Sequence, residues 1–148
     1  MYKLNLPEFD IKLKKADGKI WIFDGIRKKY LVLTPEEWVR QHFIHYLIAE
    51  KQYPRSLIKV EGGLLYNQLQ KRTDIVVFNR LAKPWMVVEC KSPGTAVSPA
   101  TLTQASVYNT TLQGEYLSVT NGLVHLCAYI DWKERKTTLL QDFPAFPS

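Results

Sequence analysis

Apolar and polar residues alternate through residues 9–24, FDIKLKKADGKIWIFD, on both sides of Asp17-Gly18. A period of two places alternate side chains on opposite faces of a strand, and an Asp-Gly pair tolerates the positive φ of a tight turn. The segment is therefore expected to be a β-hairpin. Arg27 to Leu33, RKKYLVL, adds a basic cluster and a short strand. The period changes at Thr34-Pro35-Glu36-Glu37, where a capping threonine, a first-turn proline and a glutamate three residues after the cap announce a helix. Val39, Phe43, Tyr46 and Leu47 recur at helical spacing and carry that helix to about Glu50. His42 and His45 fall on its mostly exposed side.

Strand patterns return at residues 57–60 and 64–66, interrupted by Glu61-Gly62-Gly63, where either Glu61 sits near the rim of a metal site or the glycines mark a bulge that merely bends the strand. Residues 74–78 and 85–89 are apolar, β-branched runs of the kind buried on both faces. The loop between them, Asn79 to Pro84, is short enough to make the pair an antiparallel hairpin. Ser98-Pro99 opens a second helix over residues 99–112. Residues 115–120 and 123–130 flank Asn121-Gly122, a further hairpin signal. Residues 132–140 are strand-like, and QDFPAFPS ends the sequence in irregular form. The expected architecture is α/β, a mixed β-sheet flanked by helices with an N-terminal β-hairpin. One domain spans 1–148, with a hairpin extension at 1–26, a core at 27–130 and a C-terminal strand and tail at 131–148.

Composition narrows the function classes. With 148 residues, 46% of them hydrophobic, the chain can bury one real core. It has no apolar run of bilayer-spanning length, and MYKLNLPEFD lacks the apolar centre of a signal peptide, so a cytoplasmic protein without a membrane partner is expected. Cys90 and Cys127, far apart and outside any CxxC pattern, suggest neither a zinc site nor a disulfide framework. The net charge of +6 suits a polyanionic partner.

The chemistry converges on KRTDIVVFNRLAKPWMVVECK, residues 71–91. Antiparallel pairing of 74–78 with 85–89 sets Asp74 beside Glu89 at one rim of the sheet. Alternation points Lys91 the same way and turns Cys90 to the other face. Two adjacent carboxylates repel unless a cation lies between them. Mg²⁺ takes hard oxygen ligands, keeps several waters and commonly binds through one or two carboxylates and a phosphate. A nearby ammonium can orient a water for attack on phosphorus or neutralise charge growing on the phosphate. The plain structural alternative is a strand-capping aspartate and a solvated Glu-Lys pair.

Asp74, followed fifteen positions later by Glu89-Cys90-Lys91, resembles the D…ExK signature of the PD-(D/E)xK nuclease superfamily. Gln104 and Tyr108, four apart on the second helix, extend the likeness to the RecB-like QxxxY branch. They also fit the nuclease domain at the N-terminus of type I restriction enzyme R subunits. The resemblance runs from about Arg27 to Asn121-Gly122 and is carried by TPEEWVRQ, KRTDIVVF, VECKSP and QASVYN. It implies a restriction-endonuclease-like fold and a Mg²⁺-dependent DNA endonuclease, with Mn²⁺ able to substitute. In that reading Asp74, Glu89 and the main-chain carbonyl of Cys90 bind metal, Lys91 assists the water or the developing charge, and Gln104 and Tyr108 contact the site.

Such folds often bring one more glutamate from the helix ahead of the core strands. Glu36, in line with Val39 and Phe43, is the candidate, since Glu37 can bond back to Thr34; both equally suit the helix dipole. Lys12, Lys14, Lys15 and Lys19 form a solvated hairpin face or touch phosphates, and Lys71 and Arg72 either neutralise a phosphate or lie in a solvated turn. DNA is the implied partner, together with a separate motor or specificity subunit, because the sequence contains no GxxxxGK[ST] loop. Cutting both strands would call for a homodimer. The tail reads as a natural end, which favours a free-standing relative over a fragment. The competing classes are a non-catalytic nucleic-acid-binding module that keeps the fold and a structural or protein-interaction domain.

Overall fold

The computed structural model describes residues 2–60 and 75–147, apart from the side chain of Tyr108. Asp74, Glu61, Lys71, Arg72 and the strand expected at 64–66 lie outside the described residues.

The Asp17-Gly18 hairpin forms as its pattern predicts. Strands β1 (Leu13–Ala16) and β2 (Lys19–Asp24) pair antiparallel, with Ala16 opposite Lys19. Asp17 and Gly18 both take positive φ, 54° and 72°, as a two-residue turn matched to strand twist requires. The basic segment after it supplies β3 (Lys29–Val32), which pairs with β2 and makes a separate three-stranded sheet. Asp24 shapes the β2–β3 connection. Its carboxylate accepts from the backbone N–H groups of Ile26 (2.8 Å) and Arg27 (3.1 Å) and from the Arg27 guanidinium (3.0 Å).

Helix α1 (Pro35–Ala49) begins at Thr34, whose hydroxyl accepts from the Glu37 N–H at 3.0 Å. A short 3₁₀ turn at Arg55–Leu57 leads to β4 (Ile58–Val60). Then come β5 (Ile75–Phe78), β6 (Pro84–Cys90), helix α2 (Pro99–Leu112), β7 (Tyr116–Thr120), β8 (His125–Asp131) and β9 (Lys136–Leu140). Among the described residues these strands form one sheet in the order β4-β5-β6-β7-β8-β9, antiparallel except for β6 and β7. A parallel neighbour needs a crossover, and α2 provides it. Between β5 and β6 the register slips after Val77–Met86, leaving Trp85 as the extra residue. That bulge lets Trp85 join Tyr53 and Phe146 in an edge-on aromatic group.

Alternation along the central strands separates two cores. Met86, Val88 and Cys90 of β6 pack with Val39, Phe43, Ile44 and Leu47 of α1. Val87 packs with Leu102 and Ala105 of α2 and with Leu117 and Val119 of β7. The sheet is thus covered by α1 on one face and α2 on the other, the α/β arrangement with a mixed sheet that the pattern predicts. No helix among the described residues is long and apolar enough to cross a membrane.

Three local expectations need correction. His42 is buried, not exposed, because Phe9 packs edge-on against it and stacks on His45 at 4.7 Å between centroids. The final strand starts at Lys136, since Asp131 accepts from the N–H groups of Lys133 and Glu134 and turns the intervening chain. The Asn121-Gly122 hairpin closes through four residues, with Thr120 opposite His125 and Gly122 at φ 85°.

Candidate active site

Glu89 is the penultimate residue of β6, in the middle of the sheet. Val87, two residues earlier, points into the α2 core, so the pleat directs Glu89 to that same face. Cys90 points oppositely, into the α1 core. Central placement leaves Glu89 only 7% exposed. A carboxylate drawn that far from water needs a cationic or hydrogen-bonding partner. Lys91 provides one, with Nζ 2.9 Å from Glu89 Oε2. The expected common orientation of Glu89 and Lys91 is therefore present, and the two side chains meet.

Lys91 leaves the sheet where its position is fixed by backbone. Its N–H donates to the Thr120 carbonyl at 2.7 Å, continuing the β6–β7 ladder by one residue. The loop after it is tied rather than loose. The Thr95 N–H donates to the Ser92 carbonyl at 3.0 Å, and the Asn121 side-chain amide donates to the Thr95 carbonyl at 2.8 Å. Asn121 Oδ1 also accepts from the N–H groups of Leu123 and Val124, so one side chain shapes the β7–β8 turn and anchors the loop beyond Lys91. About a third of the Lys91 side chain (34%) remains open to solvent, which gives its ammonium access to a ligand that Glu89 alone lacks.

The other candidates are placed as follows. Asp74 lies outside the described residues; the strand it was expected to open is described from Ile75, paired with Val88. Gln104 is on α2 and exposed, while its neighbours Leu102 and Ala105 pack on the sheet. Tyr108 is also on α2, and its side chain lies outside the description. The expected orientation of the two glutamates of α1 is reversed: Glu36 is exposed and Glu37 is buried. The Glu37 carboxylate does not return to the cap but accepts from Arg40 Nε (2.9 Å), from Arg40 Nη2 and from Gln41 Nε2 (2.8 Å). Glu37, Arg40, Gln41 and Ile44 are all buried and lie along a second side of helix α1. The i, i+3, i+4 spacing of Glu37, Arg40 and Gln41 was a readable signal for this cluster.

A hard divalent cation suits the donor chemistry of this site only in part. Glu89 offers a buried anionic oxygen, and a metal of the Mg²⁺ class asks for further oxygen ligands. Among the described residues, no three His, Cys, Asp or Glu side chains converge to hold an ion. Asp74, adjacent in sequence to Ile75, lies outside the described residues.

The family model described as type I restriction enzyme R protein N terminus (HSDR_N) matches residues 35–144, from the start of α1 into the C-terminal tail. Comparison with curated proteins and with solved structures gave no match.

Proposed function

Since the chain belongs to the family of type I restriction enzyme R protein N termini, we propose that it is a Mg²⁺-dependent DNA endonuclease acting within a restriction system. The observation that carries this reading is the 2.9 Å pairing of Lys91 with the buried Glu89 at the end of a central strand. An E-x-K triplet at that position is what the resemblance to PD-(D/E)xK nucleases asks for. Asp74, Glu89 and the carbonyl of Cys90 would hold the ion, which supplies Lewis-acid polarisation of the scissile phosphate.

The chain's own groups account for the rest. The desolvated Glu89 carboxyl pairs with the Lys91 ammonium at 2.9 Å. The Lys91 ammonium, fixed through its backbone to Thr120 and partly open to solvent, can donate to a non-bridging phosphate oxygen or to the attacking water. Charge that grows on the phosphate in the transition state then meets a cation already in place. Gln104 and Tyr108 are assigned to contacts with substrate by the same resemblance. DNA and the other subunits of a restriction enzyme are the partners, and ATP-driven translocation lies outside residues 1–148, which contain no phosphate-binding GxxxxGK[ST] loop.

The test is plasmid cleavage by purified protein with Mg²⁺ or Mn²⁺, compared with Glu89→Gln and Lys91→Ala. The parent should nick or linearise the plasmid, and each variant should be slower by about 10²-fold or more, the scale for losing one charge-stabilising group. An uncut plasmid at concentrations where the protein binds DNA would favour the non-catalytic binding module. A Lys91→Ala protein as active as the parent would remove the mechanism.

A further inference from the structure

The net positive charge of the chain is concentrated in its N-terminal part. Residues 12–30 carry seven Lys or Arg and two Asp, a net +5 against +6 for all 148 residues. This stretch is the three-stranded sheet, which precedes the 35–144 family match. Asp24 is buried and neutralised by Arg27, whereas Lys12, Lys14, Lys15, Lys19, Lys28 and Lys29 are all exposed.

The pairing register sorts these residues by face. Lys14 is opposite Trp21 and Trp21 opposite Val32, while Phe23 is opposite Tyr30. By alternation Lys12, Lys14, Trp21, Phe23 and Tyr30 share one face. Contacts agree: Lys14 Nζ lies 4.3 Å from the Tyr30 ring centre, Lys12 Nζ 5.7 Å from that of Phe23, and Phe23 and Tyr30 meet edge-on at 5.3 Å. The rings are half-buried, not sealed in a core. Two depressions border this face. One, about 440 Å³, lies against α1 and includes Lys12, Phe23, Lys28 and Arg55. The other, about 380 Å³, includes Lys14, Trp21 and Tyr30.

We propose that this face binds a single nucleic-acid strand, with bases stacking on Trp21, Phe23 and Tyr30 and phosphates held by Lys12, Lys14, Lys28 and Arg55. Aromatic rings interleaved with cations on an open sheet suit unstacked bases, each of which has a π-face to offer. A duplex hides those faces and would need only the charge. The inference rests on the nuclease reading for the choice of DNA as the strand; its geometry is independent of Glu89 and Lys91.

The experiment is fluorescence anisotropy of a labelled oligothymidylate with the full chain in EDTA, where no metal-dependent cutting intervenes. The double substitution Lys12→Glu with Lys14→Glu should weaken binding at least tenfold. Lys133→Glu with Lys136→Glu, which changes net charge equally on exposed residues at the β8–β9 turn, should weaken it less than threefold. Tyr30→Leu should cost at least fivefold, and raising salt should weaken the parent steeply. Circular dichroism melts verify that each variant is folded. Equal weakening by the two double variants, an unaffected Tyr30→Leu, a duplex bound more tightly than the strand, or displacement by polyglutamate at matching charge concentration would each overturn the proposal. A protein that binds the strand through this face yet never cuts plasmid loses only the proposed function, and one that cuts while Lys12→Glu with Lys14→Glu binds normally loses only this inference.

Discussion

The two sheets of this protein are built on opposite principles. The centre of the six-stranded sheet is covered on both faces, and β5 and β6 expose almost nothing, with Ile75, Val76, Val77, Met86 and Val88 all 0% accessible, although its edge strand β9 is open to solvent. The three-stranded sheet leaves even apolar residues in water, with Leu13 at 49% and Ile20 at 43%. In the first, hydrophobic burial fixes the strands and allows one carboxylate, Glu89, to be held far from solvent. In the second, hairpin turns and the Asp24 hydrogen bonds hold a thin, charged surface. Burial positions Glu89 in one sheet, and exposure leaves the lysines of the other in solvent.

The sharpest way to break this contrast is to remove comparable apolar groups from each side. Phe43 of α1, 0% exposed and packed on the large sheet, should cost about 3–5 kcal/mol when replaced by alanine, measured by urea unfolding. Leu13→Ala should cost less than about 0.5 kcal/mol. Similar losses at both sites would mean that the small sheet is as much a core as the large one.

A smaller effect is expected at the buried carboxylate of the small sheet. Asp24→Ala removes an acceptor of two backbone N–H bonds and an Arg27 ion pair, so about 2 kcal/mol should be lost, the range for bonds to a charged group. Amide exchange in β2 and β3 should speed up more than in β5 and β6. An unchanged stability would show that the β2–β3 turn forms without this carboxylate.

Acid should act in two steps. Burial holds the His42 and His125 imidazoles below their ordinary value of 6.5, outweighing the carbonyls of Trp38 and Asn5 that their rings bond. Their folded values are depressed, so their contribution is present above about 6.5 and is lost as pH falls through those values. For Asp24, burial works upward, but the backbone N–H bonds and Arg27 together hold the carboxyl below 3.8. That contribution persists above 3.8 and disappears as pH falls further. Melting temperature should therefore decline modestly below about pH 6.5 and again below 3.8. A melting curve that rises between pH 7 and 5 would contradict the histidine assignment.

Most local elements were legible because their signals are local. Thr34-Pro35, Asp17-Gly18, Ser98-Pro99 and the apolar runs around Asn79–Pro84 each determine backbone conformation within a few residues. The meeting of Glu89 with Lys91 was equally readable, since it follows from alternation along one strand. What escaped depends on partners distant in sequence. Phe9 buries His42 from more than thirty positions away, whereas the inward turn of Glu37 toward Arg40 and Gln41 is local and its spacing was readable. The separate three-stranded sheet was half visible: the hairpin was evident, but nothing in RKKYLVL said which sheet its strand would join.

The central claim is that Glu89 shares a cation with Asp74 beside Lys91. It is tested most directly by calorimetric titration of Mn²⁺ into the metal-free parent, Asp74→Asn and Glu89→Gln. One saturable site in the parent, weakened at least tenfold in each variant with folding unchanged, is the predicted result. A parent that binds no Mn²⁺, or variants that bind it as well as the parent, would contradict the account.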